Sequence, residues 1–266
     1  MSLPSATELG PFFNQLCDAA ASATLPLFRT NLGVSNKLDD EFDPVTEADR
    51  KAETVIRDML ESRFPEHGIV GEEFGSVRTD ARYQWIIDPI DGTRAFISGI
   101  PVWGTLIALY DNGVPIAGVM DQPFTRERYL ALDGETSLSM AGGPQTRLNT
   151  STVTSLNHAT LMTTSPHLLK AAEYGAYFDV EREVKLFRYG CDCYAYCMLA
   201  AGQIELVVES ELNIYDIAAL IPVVKGAGGI ITSWSGGDAS QGGAILAAAN
   251  EQLHTQALAI LNAGQT

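Results

Sequence analysis

The chain has 266 residues and 46% apolar composition, enough for one large core or two closely packed ones, and disorder is excluded. Its 33 acidic against 17 basic residues give a formal net charge of −16, which repels a phosphate backbone and speaks against sequence-independent nucleic-acid binding. No run of about 18 apolar residues occurs and the N-terminus lacks a basic, continuously apolar leader, so a soluble cytoplasmic protein with no membrane partner is expected. Cys17, Cys191, Cys193 and Cys197 form no C-x-x-C pair and suggest buried free thiols, while His67, His158, His167 and His254 stand apart. Zinc and iron chemistry are disfavoured, and any metal here is a hard, oxygen-bound one.

In chain order, Leu9, Phe12, Phe13, Leu16, Ala20 and Leu27 predict a helix from about Thr7 to Arg29. A second runs from Thr46 to Arg63, because Thr46 with Asp49 forms a capping-box pattern and Pro65 stops it. Gly68-Ile-Val is a short strand leading to Gly71-Glu72-Glu73, and Tyr83–Ile87 a buried strand ending in Asp88-Pro89-Ile90-Asp91-Gly92-Thr93. Apolar runs at 103–110 and 114–120 flank Asp111-Asn112-Gly113, a hairpin signal, with a third strand near 128–132. The stretch from Gly142 to Thr152 has the composition of a surface connection and places a boundary between halves at about 1–145 and 146–266. Beyond it come strands at 159–163, 204–208 and 229–232, and helices at 192–201, 215–226 and 250–262. Helices alternating with strands indicate a layered α/β or α+β fold.

Asp88 and Asp91 are delivered by an apolar strand into a Pro/Gly turn, three residues apart, so both carboxylates can aim at one centre. Gly92 permits close backbone approach, and the amides of Gly92 and Thr93 can open a helix toward phosphate. Glu72 lies sixteen residues before Asp88 at the end of another strand, so adjacent strand ends could unite their acids. Asp49 and Asp216 each sit where a helix cap is the ordinary expectation. Singly, each of these acids has a structural explanation; together they suggest a cation site, which would supply the positive charge that so acidic a protein needs to bind an anionic substrate.

The segments Asp43-Pro-Val-Thr-Glu-Ala-Asp49, Gly71-Glu-Glu73, Trp85-Ile-Ile-Asp-Pro-Ile-Asp-Gly-Thr93, Tyr215-Asp-Ile-Ala-Ala219 and Gly226-Ala-Gly-Gly229 resemble, in order and over most of the chain, the inositol monophosphatase family of magnesium-dependent phosphatases. The resemblance implies a layered αβαβα sandwich of the α+β class. It implies two magnesium ions held by Glu72, Asp88, the Ile90 carbonyl, Asp91 and Asp216, with a third, weaker ion on Glu72 and Asp49; manganese is the alternative metal. Water activated by the metal would attack a small phosphate monoester in line, with Thr93, Asp49 and Glu72 orienting and deprotonating it and the amides of Gly92 and Thr93 receiving the phosphate. Lys37 could add positive charge, or be a solvated loop lysine. A homodimer is expected, as is frequent in the family.

The segment from Arg188 to Asp216 is expected to read the substrate's organic part. Arg188, Asp192 and Glu209 are the candidate contacts, and two carboxylates near the leaving group favour a cationic substrate. Asp88–Ala108 and Asp192-Cys-Tyr-Ala-Tyr196 also resemble the histidinol-phosphate phosphatase branch, with Cys191 standing where that branch more usually has glycine. Histidinol phosphate is the expected substrate. Inositol 1-phosphate or another sugar phosphate is the alternative, and a non-catalytic metal-binding scaffold is the alternative of another class. The glycines at 226–229 follow a helix and therefore end it; they do not open a nucleotide site.

Overall fold

A computed structural model describes residues 4–30, 35–36 and 44–263. Lys37 and Asp43, both singled out above, lie outside them. The first helix, α1 (Ala6–Thr24), starts at a Ser5/Glu8 capping box and buries Leu9, Phe12, Phe13, Leu16, Cys17 and Ala20 on one face. It ends five residues before the expected Arg29, because Pro26 has no amide for the ladder; hydrogen-bonded turns carry the chain on to Thr30. After the short antiparallel pair β1 (Ser35–Asn36) and β2 (Pro44–Val45) comes α2 (Glu47–Arg63), opened by the expected cap. The Thr46 N–H and hydroxyl donate to Asp49 Oδ2 at 2.9 and 2.5 Å, and Thr46 Oγ1 accepts from the Ala48 amide.

The next strands are β3 (Gly68–Gly71), β4 (Gly75–Val77) and β5 (Tyr83–Asp91), followed by the short helix α3 (Thr93–Ile97). Then come β6 (Gly104–Asp111), β7 (Val114–Gln122), β8 (Glu127–Leu132), β9 (Glu135–Met140) and β10 (Gln145–Arg147). Among the described residues they build one eight-stranded sheet in the order β10-β9-β8-β7-β6-β5-β3-β4, antiparallel throughout except where β3 meets β5. The β6–β7 hairpin turns through Asn112 and Gly113, both with positive φ. β10 lies inside the stretch read as a surface connection and pairs with β9.

The remainder comprises β11 (Thr160–Thr163), α4 (Tyr174–Glu183), β12 (Leu186–Tyr189), α5 (Asp192–Ala200), β13 (Leu206–Leu212), α6 (Ile214–Ile217), α7 (Leu220–Gly226), β14 (Ile230–Ser233), β15 (Gly243–Ala248) and α8 (Glu251–Leu261). Its sheet runs β12-β11-β13-β15-β14. The single helix expected at 215–226 is two, since Pro222 cannot donate to the Ala218 carbonyl. Gly228 (φ 97°) and Gly229 close α7 by donating to Lys225 and Val224, so these glycines terminate a helix as expected.

Alternation along the strands explains the layering. Trp85, Ile87, Ile107, Leu109 and Val119 face α1 and α2, whereas Ile86, Leu106, Ala108 and Met120 face α5, α6 and α7. Those helices in turn cover one face of the second sheet through Val207, Ile245 and Ala247, and its other face, with Leu206, Val208, Leu246 and Ala248, packs on α4 and α8. The order is therefore helix, sheet, helix, sheet, helix. Trp85 anchors the first interface, fully buried among the rings of Phe12, Phe13 and Phe64. All four cysteines are free, and Cys17, Cys193 and Cys197 are buried. Among the described residues no helix is long and apolar enough to cross a membrane.

Candidate active site

β5 and β3 run parallel with Gly68 opposite Gln84 and Gly71 opposite Ile87, an offset of sixteen residues. Continuing that register brings Glu72 level with Asp88, and the Glu72 amide donates to the Ile87 carbonyl at 3.2 Å. The Glu72 charge acts on the Asp88 carboxyl from there. Pairing of β5 with β6 shifts between Asp88 and Asp91, which frees the Pro89-Ile90 segment from the ladder. Asp88 Oδ1 then accepts from the Ile90 amide at 3.0 Å, Thr105 ties down the Pro89 carbonyl at 2.8 Å, and the Thr93 hydroxyl donates to the Ile90 carbonyl at 3.1 Å. Gly92 turns the chain at φ 84°; a Cβ there would lie 3.2 Å from the Trp103 backbone and from Asp192 Cβ and Cγ, so no larger residue fits without displacement.

Asp216 arrives from the other half. As the third residue of α6 it accepts from the Asn213 amide at 2.6 Å, so it does cap a helix, as its position suggested. It also reaches the cluster: ligand oxygens of Asp88, Asp91 and Asp216 all lie within 4.8 Å of one another. Asp91 is aimed by the Cys193 amide, which donates to its Oδ2 at 2.7 Å from the start of α5.

The electrostatics are those of a cage of like charges. Burial, then the charges of Glu72, Asp91 and Asp216, holds the Asp88 carboxyl well above the usual carboxylate range. Burial followed by Asp192 and Asp216 does the same to Asp91, and Asp216 is pushed up to about 7. Asp49, raised to about 6 by burial, also feels the Glu72 charge, and its Oδ1 is buried with no protein partner. A set of oxygen-only donors that repel one another, one of them orphaned, fits a hard divalent cation.

Beside this cluster opens a cavity of about 650 Å³, lined among others by Asp91, Arg94, Asp192, Tyr196, Glu209 and Asp216. Asp192 does not cap α5; Cys191 holds the cap position and Asp192 follows it in the left-handed region at φ 43°. Burial, then the Glu209 charge, raises its carboxyl to about 7 against the opposing pull of Arg94. Glu209, buried on β13, is firmly placed: Oε1 accepts from the Thr164 amide and hydroxyl at 2.8 and 2.5 Å, and Oε2 accepts from the Tyr196 hydroxyl at 3.0 Å. Arg188 is exposed on β12 and is not part of the cavity wall, although its charge reaches Cys191.

Two contributors escaped the sequence reading. Glu53 is fully buried on α2, accepts from the amides of Glu73 and Phe74 at 2.7 and 3.2 Å, and pairs with Arg57 at 2.6 Å; it buttresses the turn that carries Glu72. The i,i+4 spacing of Glu53 and Arg57 was the available signal. Arg94, next to Thr93, is the other.

The profile of the inositol monophosphatase family matches residues 6–266. The chain is 41% identical over 273 residues to the bifunctional phosphatase IMPL2, chloroplastic, of Arabidopsis thaliana, covering 96% of this chain and 76% of that one. It is 37% identical over 254 residues to the histidinol-phosphatase of Mycobacterium tuberculosis, covering 94% and 96%. Among solved structures, an inositol monophosphatase from Zymomonas mobilis superposes with a TM-score of 0.87 at 38% identity, over 98% of this chain and all of that one.

Proposed function

The chain belongs to the inositol monophosphatase family and is a phosphoric monoester hydrolase, and from that premise we propose that it converts histidinol phosphate to histidinol, with magnesium as its metal. The observation that carries the substrate assignment is the pair of carboxylates, Asp192 and Glu209, on the wall of the cavity beside the Asp88, Asp91 and Asp216 cluster. A leaving group bearing an ammonium favours the ionised form of Asp192, whose burial otherwise opposes it.

In this reading Glu72, Asp88, the Ile90 carbonyl, Asp91 and Asp216 hold two magnesium ions, and Asp49 with Glu72 a third. When bound, magnesium supplies Lewis-acid charge for the phosphoryl oxygens and the departing alkoxide. The chain's own part is to place and activate the reactants. The Gly92 and Thr93 amides receive phosphate oxygens, Thr93 and Asp49 orient the attacking water, and Asp49 takes its proton with Glu72 assisting. Residues 1–145 then carry most of the metal site, and residues 146–266 the substrate readers and Asp216.

A homodimer is part of the proposal, supported by the exposed edge strand β12, where Leu186, Phe187 and Tyr189 stand in solvent. So is a cytoplasmic location, supported by four unpaired cysteines. Arg188, on that edge and outside the cavity wall, has weaker support as a substrate contact than Asp192 and Glu209.

Asp192→Asn tests the assignment. It should lower kcat/KM for histidinol phosphate about 10- to 100-fold, the loss of one charge-assisted contact, and leave hydrolysis of inositol 1-phosphate within a few-fold of wild type. Equal loss on both esters would assign Asp192 to the architecture and favour the inositol phosphate reading.

A further inference from the structure

We propose that Arg94 is a specificity-determining residue: it keeps Asp192 compensated in the empty cavity and yields that carboxylate to an ammonium group on the substrate. The inference rests on the cationic-substrate reading above and adds a residue to it. Arg94 and Asp192 line the same cavity. Arg94 lies in the first turn of α3, two residues after Gly92, in a segment fixed by the Phe96 amide donating to the Gly92 carbonyl at 2.9 Å. Asp192 lies on that same turn, since a Cβ on Gly92 would come within 3.2 Å of its Cβ and Cγ. The carboxylate therefore sits over the segment from which Arg94 extends, beside the proposed phosphate amides.

The other charges of the cavity leave this relation distinct. Glu209 is satisfied by three donors from Thr164 and Tyr196. Lys170 pairs with Glu211 at the rim. Asp192 has burial and Glu209 acting against its charge and Arg94 acting for it. Arg94 is exposed, so its head group can follow the charge distribution at little cost in packing. With a neutral leaving group Asp192 depends on Arg94; an ammonium-bearing leaving group supplies its own cation and makes Arg94 dispensable to that carboxylate. Arg94 thus lets the site tolerate neutral esters, and its removal should sharpen selectivity.

The test compares histidinol phosphate with its deaminated analogue, 3-(imidazol-4-yl)propyl phosphate, in wild type, Arg94→Gln, Asp192→Asn and the double variant, using the full chain with magnesium. Arg94→Gln should raise the ratio of kcat/KM values for the two esters about tenfold, through loss on the deaminated ester. Asp192→Asn should bring the ratio close to one, and adding Arg94→Gln to it should change the ratio by less than twofold. A ratio unmoved by Arg94→Gln, or moved equally in both backgrounds, overturns the role of Arg94 while leaving the substrate assignment standing. A wild-type enzyme indifferent to the ammonium overturns both.

Discussion

Replacing Asp216 by Asn isolates the electrostatic content of the metal site. The asparagine Oδ1 can still accept from the Asn213 amide, so the cap on α6 survives, while one charge leaves a cluster whose oxygens lie within 4.8 Å of one another. Two full charges at that separation repel by about 3 kcal/mol at an effective dielectric constant of about 20, and partial protonation reduces the relief to about 1–3 kcal/mol at pH 8. In a chain of this length that corresponds to a melting temperature higher by about 2–5 °C. In chelator at pH 8 the variant should therefore melt above wild type, whereas saturating magnesium should stabilise wild type and do little for the variant. Phosphate release should fall at least about 100-fold. A variant that melts below wild type in chelator, or keeps the full magnesium shift, would show that the Asp216 charge neither strains the cluster nor holds the metal.

Other perturbations probe the surrounding structure. Because Asp49, Asp192 and Asp216 titrate near 6 to 7 in the folded protein, above their unfolded values, the native state holds more protons than the unfolded one between about pH 4 and 7. This contribution to the stability of metal-free protein is present at low pH and lost as pH rises through that window, so a urea titration in chelator should show these groups stabilising the fold at pH 5.5 relative to pH 8; added magnesium should reverse their contribution. Gly92→Ala meets both a left-handed φ and 3.2 Å contacts, and should cost about 1–3 kcal/mol in denaturant melts together with most of the activity. Glu53→Gln loosens the turn under Glu72 and should raise the magnesium concentration needed for half-maximal activity about tenfold, as read from a magnesium titration. Trp85→Ala opens the ring cluster under α1 and should cost about 3–5 kcal/mol while leaving kcat per folded molecule unchanged.

The legible part of the fold follows from local rules and one strong motif. The Thr46/Asp49 box, the Asn112-Gly113 turn and the glycines after α7 act through their own backbone, so sequence alone exposes them. The spacing of Glu72 and Asp88 was legible as a juxtaposition of strand ends, and the parallel register accounts for it in detail. β15 was not legible: Gly-Ala-Ile-Leu-Ala-Ala is small and apolar without a period, and only its place between β13 and β14 makes it a strand. β12 and α4 carry mixed patterns whose state depends on partners distant in the chain. The site divides in the same way. Acids on turns announce themselves, whereas Glu53 passes for a surface helix residue until its bonds to the Glu73 and Phe74 amides are seen. The relation of Arg94 to Asp192 exists only once α3 and α5 meet.

Phosphate release from histidinol phosphate and from inositol 1-phosphate, measured side by side with magnesium and with chelator, reads the metal requirement and the substrate preference in one experiment. Release should require magnesium, with a kcat/KM at least about tenfold higher for histidinol phosphate. A preference for inositol 1-phosphate, or release that persists in chelator, would contradict the proposed function.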